Sequence, residues 1–209
     1  MTEIIENSLQ LALLMTCTIL AGVYAFRAKS LDAGILTMFY GSYVLGDIYW
    51  LLYLVFYNHT PDIFYVPYLS WYAAYLFLFL LLKRITPEEE QKAMHPVAWL
   101  MPVFTVGMCI YYIQFGDYLG NIITAVLMGL LLFHAERGLI WIRRHPEGKC
   151  RRTLYWVVIA FCTLEYLAWT ASCIYVGDTL ENPYFWFDFL ITPCAMLILP
   201  AYRKAVAQP

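Results

Sequence analysis

All of the positive charge in this chain lies at alternate ends of its apolar segments. The sequence contains 13 lysine and arginine residues. They fall at or after the ends of the first, third, fifth and seventh of seven apolar segments, and the gaps between carry none. In chain order they are Arg27, Lys29, Lys83, Arg84, Lys92, Arg137, Arg143, Arg144, Lys149, Arg151, Arg152, Arg203 and Lys204. Since cytoplasmic loops collect lysine and arginine, the pattern predicts seven transmembrane helices, with the N-terminus outside and the C-terminus in the cytosol.

The apolar segments have the length that a bilayer requires. A helix needs ~20 apolar residues to cross the hydrocarbon core. The predicted spans are about 8–26, 31–56, 63–82, 96–114, 118–141, 153–176 and 183–202. The chain has 209 residues, so only short links remain, and we expect one all-α transmembrane domain over residues 1–209. We expect it in the bacterial plasma membrane, with the lipid bilayer as its permanent partner.

Composition narrows the classes of function. Charged residues make up 13% of the chain, about half of the ~25% typical of soluble domains. No basic cluster is interleaved with aromatic residues in a soluble segment, which argues against nucleic-acid binding. The six cysteines and four histidines show no spacing typical of a metal site or of a disulfide framework. We therefore predict no cofactor, no metal site and no nucleic-acid partner.

The N-terminal residues and two of the links allow further predictions. Glu3 and Glu6 precede the first predicted span, where a signal peptide would carry positive charge, so the sequence does not predict a signal peptide there. The link from residue 86 to residue 95 begins Thr-Pro-Glu-Glu, which predicts a short surface helix. The basic link 143–152 is expected to face anionic lipid headgroups.

Three acidic residues fall inside predicted spans and away from the ends that carry the lysine and arginine residues. Asp188 should lie near the outer surface, Asp47 in the outer half and Glu165 near the middle of the membrane. Inserting an aspartate at the centre of a membrane helix costs ~2.5–3.5 kcal/mol. Such carboxyl groups are therefore protonated, line a wet cavity or meet a cationic ligand. The simpler alternative is that each acid bonds a neighbouring hydroxyl and fixes helix packing.

Aromatic residues share the helix faces of these acids. Tyrosine and tryptophan offer polar groups to a ligand, and their rings attract cations. The sequence therefore predicts an acidic, aromatic site for a small polar or cationic ligand, although residues of this kind also anchor membrane helices at the interface. The predicted ligand-binding residues are Asp47, Glu165, Asp188, Tyr43, Tyr68, Tyr72, Trp50 and Trp169.

Three functions fit such a site. The first is transport of the ligand, because acids at graded depth can couple proton movement to substrate movement. The second is a membrane sensor or receptor that signals through a cytosolic protein partner. The third is an intramembrane lipid hydrolase in which paired carboxylates activate water. We favour the first, which assigns no catalytic residue and makes the chain a transporter rather than an enzyme.

The sequence resembles two families of membrane proteins, but neither resemblance is sufficient to assign the chain to a family. Its size and seven spans resemble microbial rhodopsins, but Thr192 stands one turn after Asp188 and the last span has no lysine for a retinal Schiff base. Residues 42–47 resemble the serine and Gly-Asp segment of lysoplasmalogenase-type membrane hydrolases, over six residues only.

Overall fold

A computed structural model describes residues 2–59, 65–175 and 180–207. These residues are almost entirely helical and form no strand. Seven of their helical segments are long and apolar enough to cross a membrane. The prediction of an all-α chain with seven membrane-spanning helices is therefore confirmed. The orientation of the termini continues to rest on the charge pattern.

The described residues contain nine α-helices and two short 3-10 turns, and all of these except the fourth α-helix belong to the seven spans. The helices are α1 Thr2–Ala28, α2 Leu31–Tyr57, α3 Tyr65–Ile85, α4 Glu88–Lys92, α5 Leu100–Ile113, α6 Tyr118–Arg144, α7 Arg152–Ile174, α8 Pro183–Met196 and α9 Ile198–Val206. The 3-10 turns Pro96–Trp99 and Pro146–Arg151 lead into α5 and α7. The seventh span comprises α8 and α9.

Polar residues at the links set where several helices begin and end. Ser30 caps α2 by accepting a 3.2 Å hydrogen bond from the Ala33 amide. Asp117 caps α6 in the same way, and Asn182 caps α8 with Pro183 at its first helical position. Asn58 ends α2 in the left-handed conformation, which asparagine tolerates. These short links make consecutive helices antiparallel neighbours.

We call the end of the bundle that carries the lysine and arginine links the basic end. Between the middle of the bundle and this end, the apolar core is tightly packed. Fully buried side chains from five helices meet there: Leu36, Phe39, Leu78, Leu81, Leu82, Leu131, Leu154, Val158, Phe161 and Ile198. This half of the bundle is therefore closed.

A buried polar cluster adds to this closure. It consists of Thr86, Glu90, Arg151 and Tyr155, and we call it the basic-end cluster. Glu90 is 0% exposed, and it accepts hydrogen bonds from Arg151 at 2.7 Å and from the Tyr155 hydroxyl at 2.5 Å. The Tyr155 and Thr86 hydroxyls lie 3.0 Å apart.

The 86–95 link does contain a short helix with exposed residues, α4, as predicted, but its Glu90 is buried, which the sequence analysis did not predict. The short helix α4 turns Glu90 into the bundle, where donors from α7 and its preceding turn receive the carboxylate. A buried charge is tolerated when it is paired and hydrogen-bonded in this way. Arg151, from the basic link, accordingly faces the protein instead of lipid headgroups.

Candidate functional site

A cavity of about 450 Å³ extends from the end opposite the basic links to the middle of the bundle. Asn7 and Ser172 line it near helix ends, whereas Tyr43 and Tyr75 line it at the midpoints of α2 and α3. Its volume falls within the roughly 300–1,000 Å³ of small-molecule pockets. Side chains from α1, α2, α3, α6, α7 and α8 form its walls.

The structure brings all of the predicted ligand-binding residues to this one cavity. The lining includes Asp47, Glu165, Asp188, Tyr43, Tyr68, Tyr72, Trp50 and Trp169. These residues come from four helices that are separated along the chain, so the packing of α2, α3, α7 and α8 creates the site. Their role in binding a ligand stays a prediction.

The charged side chains that line the cavity are all acidic. Three carboxyl groups line the cavity, and none of its described lining residues is a lysine, arginine or histidine. A cleft lined by one sign of charge and by low-dielectric walls concentrates the opposite charge. The cavity is therefore suited to a cation and unsuited to an anion.

Asp47 is the least compensated of the three acids. Its Oδ1 accepts one long hydrogen bond, 3.4 Å from the Trp71 indole nitrogen. Its Oδ2 is buried and has no hydrogen-bond partner among the described residues. Burying an ionised carboxylate without partners is costly. A proton or a bound cation therefore has to neutralise the Asp47 charge, which no group among the described residues compensates.

Glu165 lies at the floor of the cavity and receives protein donors. The Tyr43 hydroxyl donates a 2.6 Å hydrogen bond to its Oε1. The Tyr75 side chain interacts with the same carboxyl group. Because the two tyrosines belong to α2 and α3, this acid joins three helices at mid-bundle. Glu165 therefore has a structural role that Asp47 lacks.

Asp188 is held by residues that the sequence analysis did not assign to the site. Gln10 donates a 3.0 Å hydrogen bond to its Oδ2 and also donates to Glu6. Gln10 thus bridges the carboxyl groups of Glu6 and Asp188, which lie close enough to interact. Two carboxyl groups so placed are accommodated when a proton or a cation lies between them. Asp188 is thus part of a bonded cluster with α1.

Glu6 was missed because the first span was predicted to begin at residue 8, whereas Gln10, inside that predicted span, was missed because the site was built from acidic and aromatic residues. Helix α1 instead begins at Thr2, so Glu6 lies one turn inside it. The buried residues of α1 recur at steps of three and four: Glu6, Gln10, Leu14, Cys17 and Ala21. Extending the helical period of the buried face toward the N-terminus would have found both polar residues.

Aromatic side chains form a continuous wall of the cavity near its open end. We call Trp50, Tyr68, Trp71, Tyr72 and Trp169 the aromatic wall. The Tyr68 ring is central, with its centroid 5.9 Å from those of Trp71, Tyr72 and Trp169. The Trp50 and Trp71 centroids lie 6.1 Å apart. Trp71 was not among the predicted ligand-binding residues, although it connects this wall to Asp47.

Gly46 permits the approach of Trp71 to α2, which leads to a prediction on stability. A Cβ at this position would lie 2.6 Å from the indole Nε1. We expect Gly46→Ala to lower the free energy of unfolding by about 1–3 kcal/mol, since overpacking displaces the ring. Gly41→Ala on the same helix is the matched control, because its Cβ would make an ordinary 3.8 Å contact with Thr18. Equal unfolding midpoints for the two variants would contradict this packing argument.

Comparisons of this chain with known protein families, with curated proteins and with solved structures found no match. The chemistry of the cavity is therefore the basis on which a function can be argued.

Proposed function

We propose that this chain is a membrane transporter whose cavity binds a small organic cation. The observation that carries the proposal is the Asp47 carboxyl group, which lines the cavity with one long hydrogen bond and one buried, unpartnered oxygen. A cation in the cavity would compensate this charge. None of the described lining residues is a lysine, arginine or histidine that could do so instead.

The aromatic wall supports a cation over a neutral polar guest. Cation–π attraction contributes about 2 kcal/mol or more at a desolvated ring face. Trp50 lies one turn from Asp47 on α2, and Trp71 contacts the Asp47 carboxyl group from α3. The faces of these aromatic rings and the Asp47 carboxylate therefore attract a cation to the same part of the cavity.

Transport is supported by the asymmetry of the bundle. Among the described residues the cavity reaches the end opposite the basic links, and the apolar core with the basic-end cluster fills the other half. Transporters that alternate access keep their binding site near mid-membrane and close one side at a time. By the charge pattern, this conformation faces outward.

The seventh span contains a break suited to such movement. Pro193 lies inside α8, and this helix ends at Met196 before α9 begins at Ile198. Proline removes a helix hydrogen bond and allows a bend at this position. The break lies between Asp188 and the basic end, so bending there would move the cavity wall relative to the closed half.

The test is uptake of labelled organic cations into proteoliposomes that contain the purified protein. Choline and methylammonium are suitable probes, with binding measured in parallel on the detergent-solubilised protein. We expect saturable binding and uptake by the wild type, and loss of both in Asp47→Asn. Glu181→Gln is the control, because this acid is exposed and lies outside the cavity lining.

The two readouts separate the alternatives. Binding without uptake would contradict transport and assign the same cavity to a receptor. Failure of both choline and methylammonium to bind would contradict the proposed function as a whole.

A further inference from the structure

We infer that the cavity selects quaternary ammonium groups over primary ammonium groups. The inference rests on the proposed function and specifies the class of cation that this site accepts. It follows from the hydrogen bonds that the carboxyl groups already make and from the surface that the aromatic wall presents.

The strong acceptors of the cavity are already engaged by the protein. Glu165 accepts from Tyr43 and interacts with Tyr75. Asp188 accepts from Gln10 and interacts with Glu6. These carboxyl groups contribute negative charge, and one oxygen of each already accepts a hydrogen bond from the protein, which reduces what they offer to the N–H groups of a ligand.

The Asp47 carboxyl group also contributes negative charge, but a ligand can form few hydrogen bonds with its oxygen atoms. Its Oδ1 faces the Trp71 indole nitrogen, and its Oδ2 is buried. A primary ammonium group carries three N–H donors, and each loses a bond to water when the guest enters the cavity. A quaternary ammonium group has no N–H donor, so the shortage of free acceptors does not penalise it.

The aromatic wall provides the complementary surface. Quaternary ammonium ligands are recognised by cages of aromatic rings, whose faces attract the charge spread over the methyl groups. Trp50, Tyr68, Trp71, Tyr72 and Trp169 all line the cavity, and neighbouring rings in this wall are about 6 Å apart. Such a wall contacts several methyl groups of one cation while Asp47 lies behind it.

The test measures how the wild-type protein binds a series of ammonium ions that differ in their number of methyl groups. Binding of methylammonium, dimethylammonium, trimethylammonium and tetramethylammonium is measured by calorimetry under one buffer condition. We expect affinity to rise with each methyl group and tetramethylammonium to bind at least about tenfold more tightly than methylammonium. This arm needs no variant, so it does not depend on the folding of any substitution.

A second arm tests whether the wall causes the selectivity. Trp50→Leu and Trp169→Leu should each reduce the affinity ratio of tetramethylammonium to methylammonium, a readout that general loss of structure does not mimic. Trp186→Leu is the matched control, because its ring is exposed, lies outside the cavity lining and bonds the Leu180 carbonyl. An unchanged ratio in both wall variants would overturn the role of the wall.

The outcomes distinguish this inference from the proposed function. Equal or tighter binding of methylammonium, still lost in Asp47→Asn, would overturn the inference and leave organic-cation binding intact. If no member of the series binds, the inference and the proposed function both fail.

Discussion

Asp47→Asn is expected to remove cation binding without lowering the stability of the unliganded protein. Truncating one partner of a close charge pair costs roughly 2–5 kcal/mol, so affinity should fall at least about 30-fold. The unliganded protein loses a carboxyl group that has a single long hydrogen bond and a buried, unpartnered oxygen. Since a neutral amide costs less to bury than a carboxylate, the unfolding midpoint should be equal to or above that of the wild type.

Thermal unfolding with and without tetramethylammonium measures both effects. A ligand at about 100 times its dissociation constant stabilises a folded protein by about 2.7 kcal/mol, so the wild-type midpoint should rise. At the same concentration an affinity at least about 30-fold weaker leaves at most about 0.9 kcal/mol of stabilisation, so the midpoint of Asp47→Asn should rise by a third of the wild-type shift or less, whereas that of the Glu181→Gln control should rise fully. A variant that loses stability and still responds to the cation would show that Asp47 is a packing residue.

Arg151→Met is expected to cause the largest loss of stability. It leaves the Glu90 carboxylate, which is 0% exposed, without its 2.7 Å cationic partner. Breaking a buried ion pair by removing one member costs roughly 3–5 kcal/mol. The remaining 2.5 Å hydrogen bond from Tyr155 does not neutralise the charge. The measurement is the free energy of unfolding in detergent at constant ionic strength.

Arg152→Met is the matched control for this prediction. Arg152 adjoins Arg151, is exposed and makes no ion pair among the described residues. Its replacement removes one positive charge, as Arg151→Met does, but breaks no buried ion pair. The double variant Glu90→Gln/Arg151→Met should recover most of the lost stability, because the buried carboxylate is then absent. Equal losses for the two arginine variants would show that the basic-end cluster does not fasten α4 to the bundle.

The helices were predictable because their signals are local. Each apolar segment is long enough to span a bilayer, and the alternating placement of lysine and arginine separates the segments. The three intramembrane acids were visible for the same reason, since a carboxyl group is conspicuous in an apolar segment. Aromatic residues on the same helical faces, such as Trp50 beside Asp47, completed the predicted set.

Contacts between distant residues were not predictable in this way. The ion pair of Arg151 with Glu90 joins positions 61 apart, and nothing in either local segment identifies the other. The acidic link was therefore interpreted as a surface helix. Likewise, the rotation of each helix decides whether its polar face meets the others, and periodicity within one helix does not fix that rotation.

Glu6 illustrates a different limit. A hydropathy window selects apolar residues, so it excluded the polar first turn of α1 that carries Glu6. Gln10 lay inside the predicted span but was not assigned to the site, because it is neither acidic nor aromatic. Their partner, Asp188, lies 178 positions from Gln10 along the chain. The buried face of α1 was still present in the sequence as a helical period, but hydropathy alone does not extend it.

Photoaffinity labelling tests the central claim most directly. The probe is a trimethylammonium compound that carries a diazirine, and the labelled residues are identified by mass spectrometry. We predict adducts on cavity-lining residues of α2, α3 and α7 that excess tetramethylammonium suppresses and that Asp47→Asn lacks. Adducts confined to lipid-facing positions such as Leu45 and Leu69, unchanged by the competitor, would contradict a cation site in this cavity.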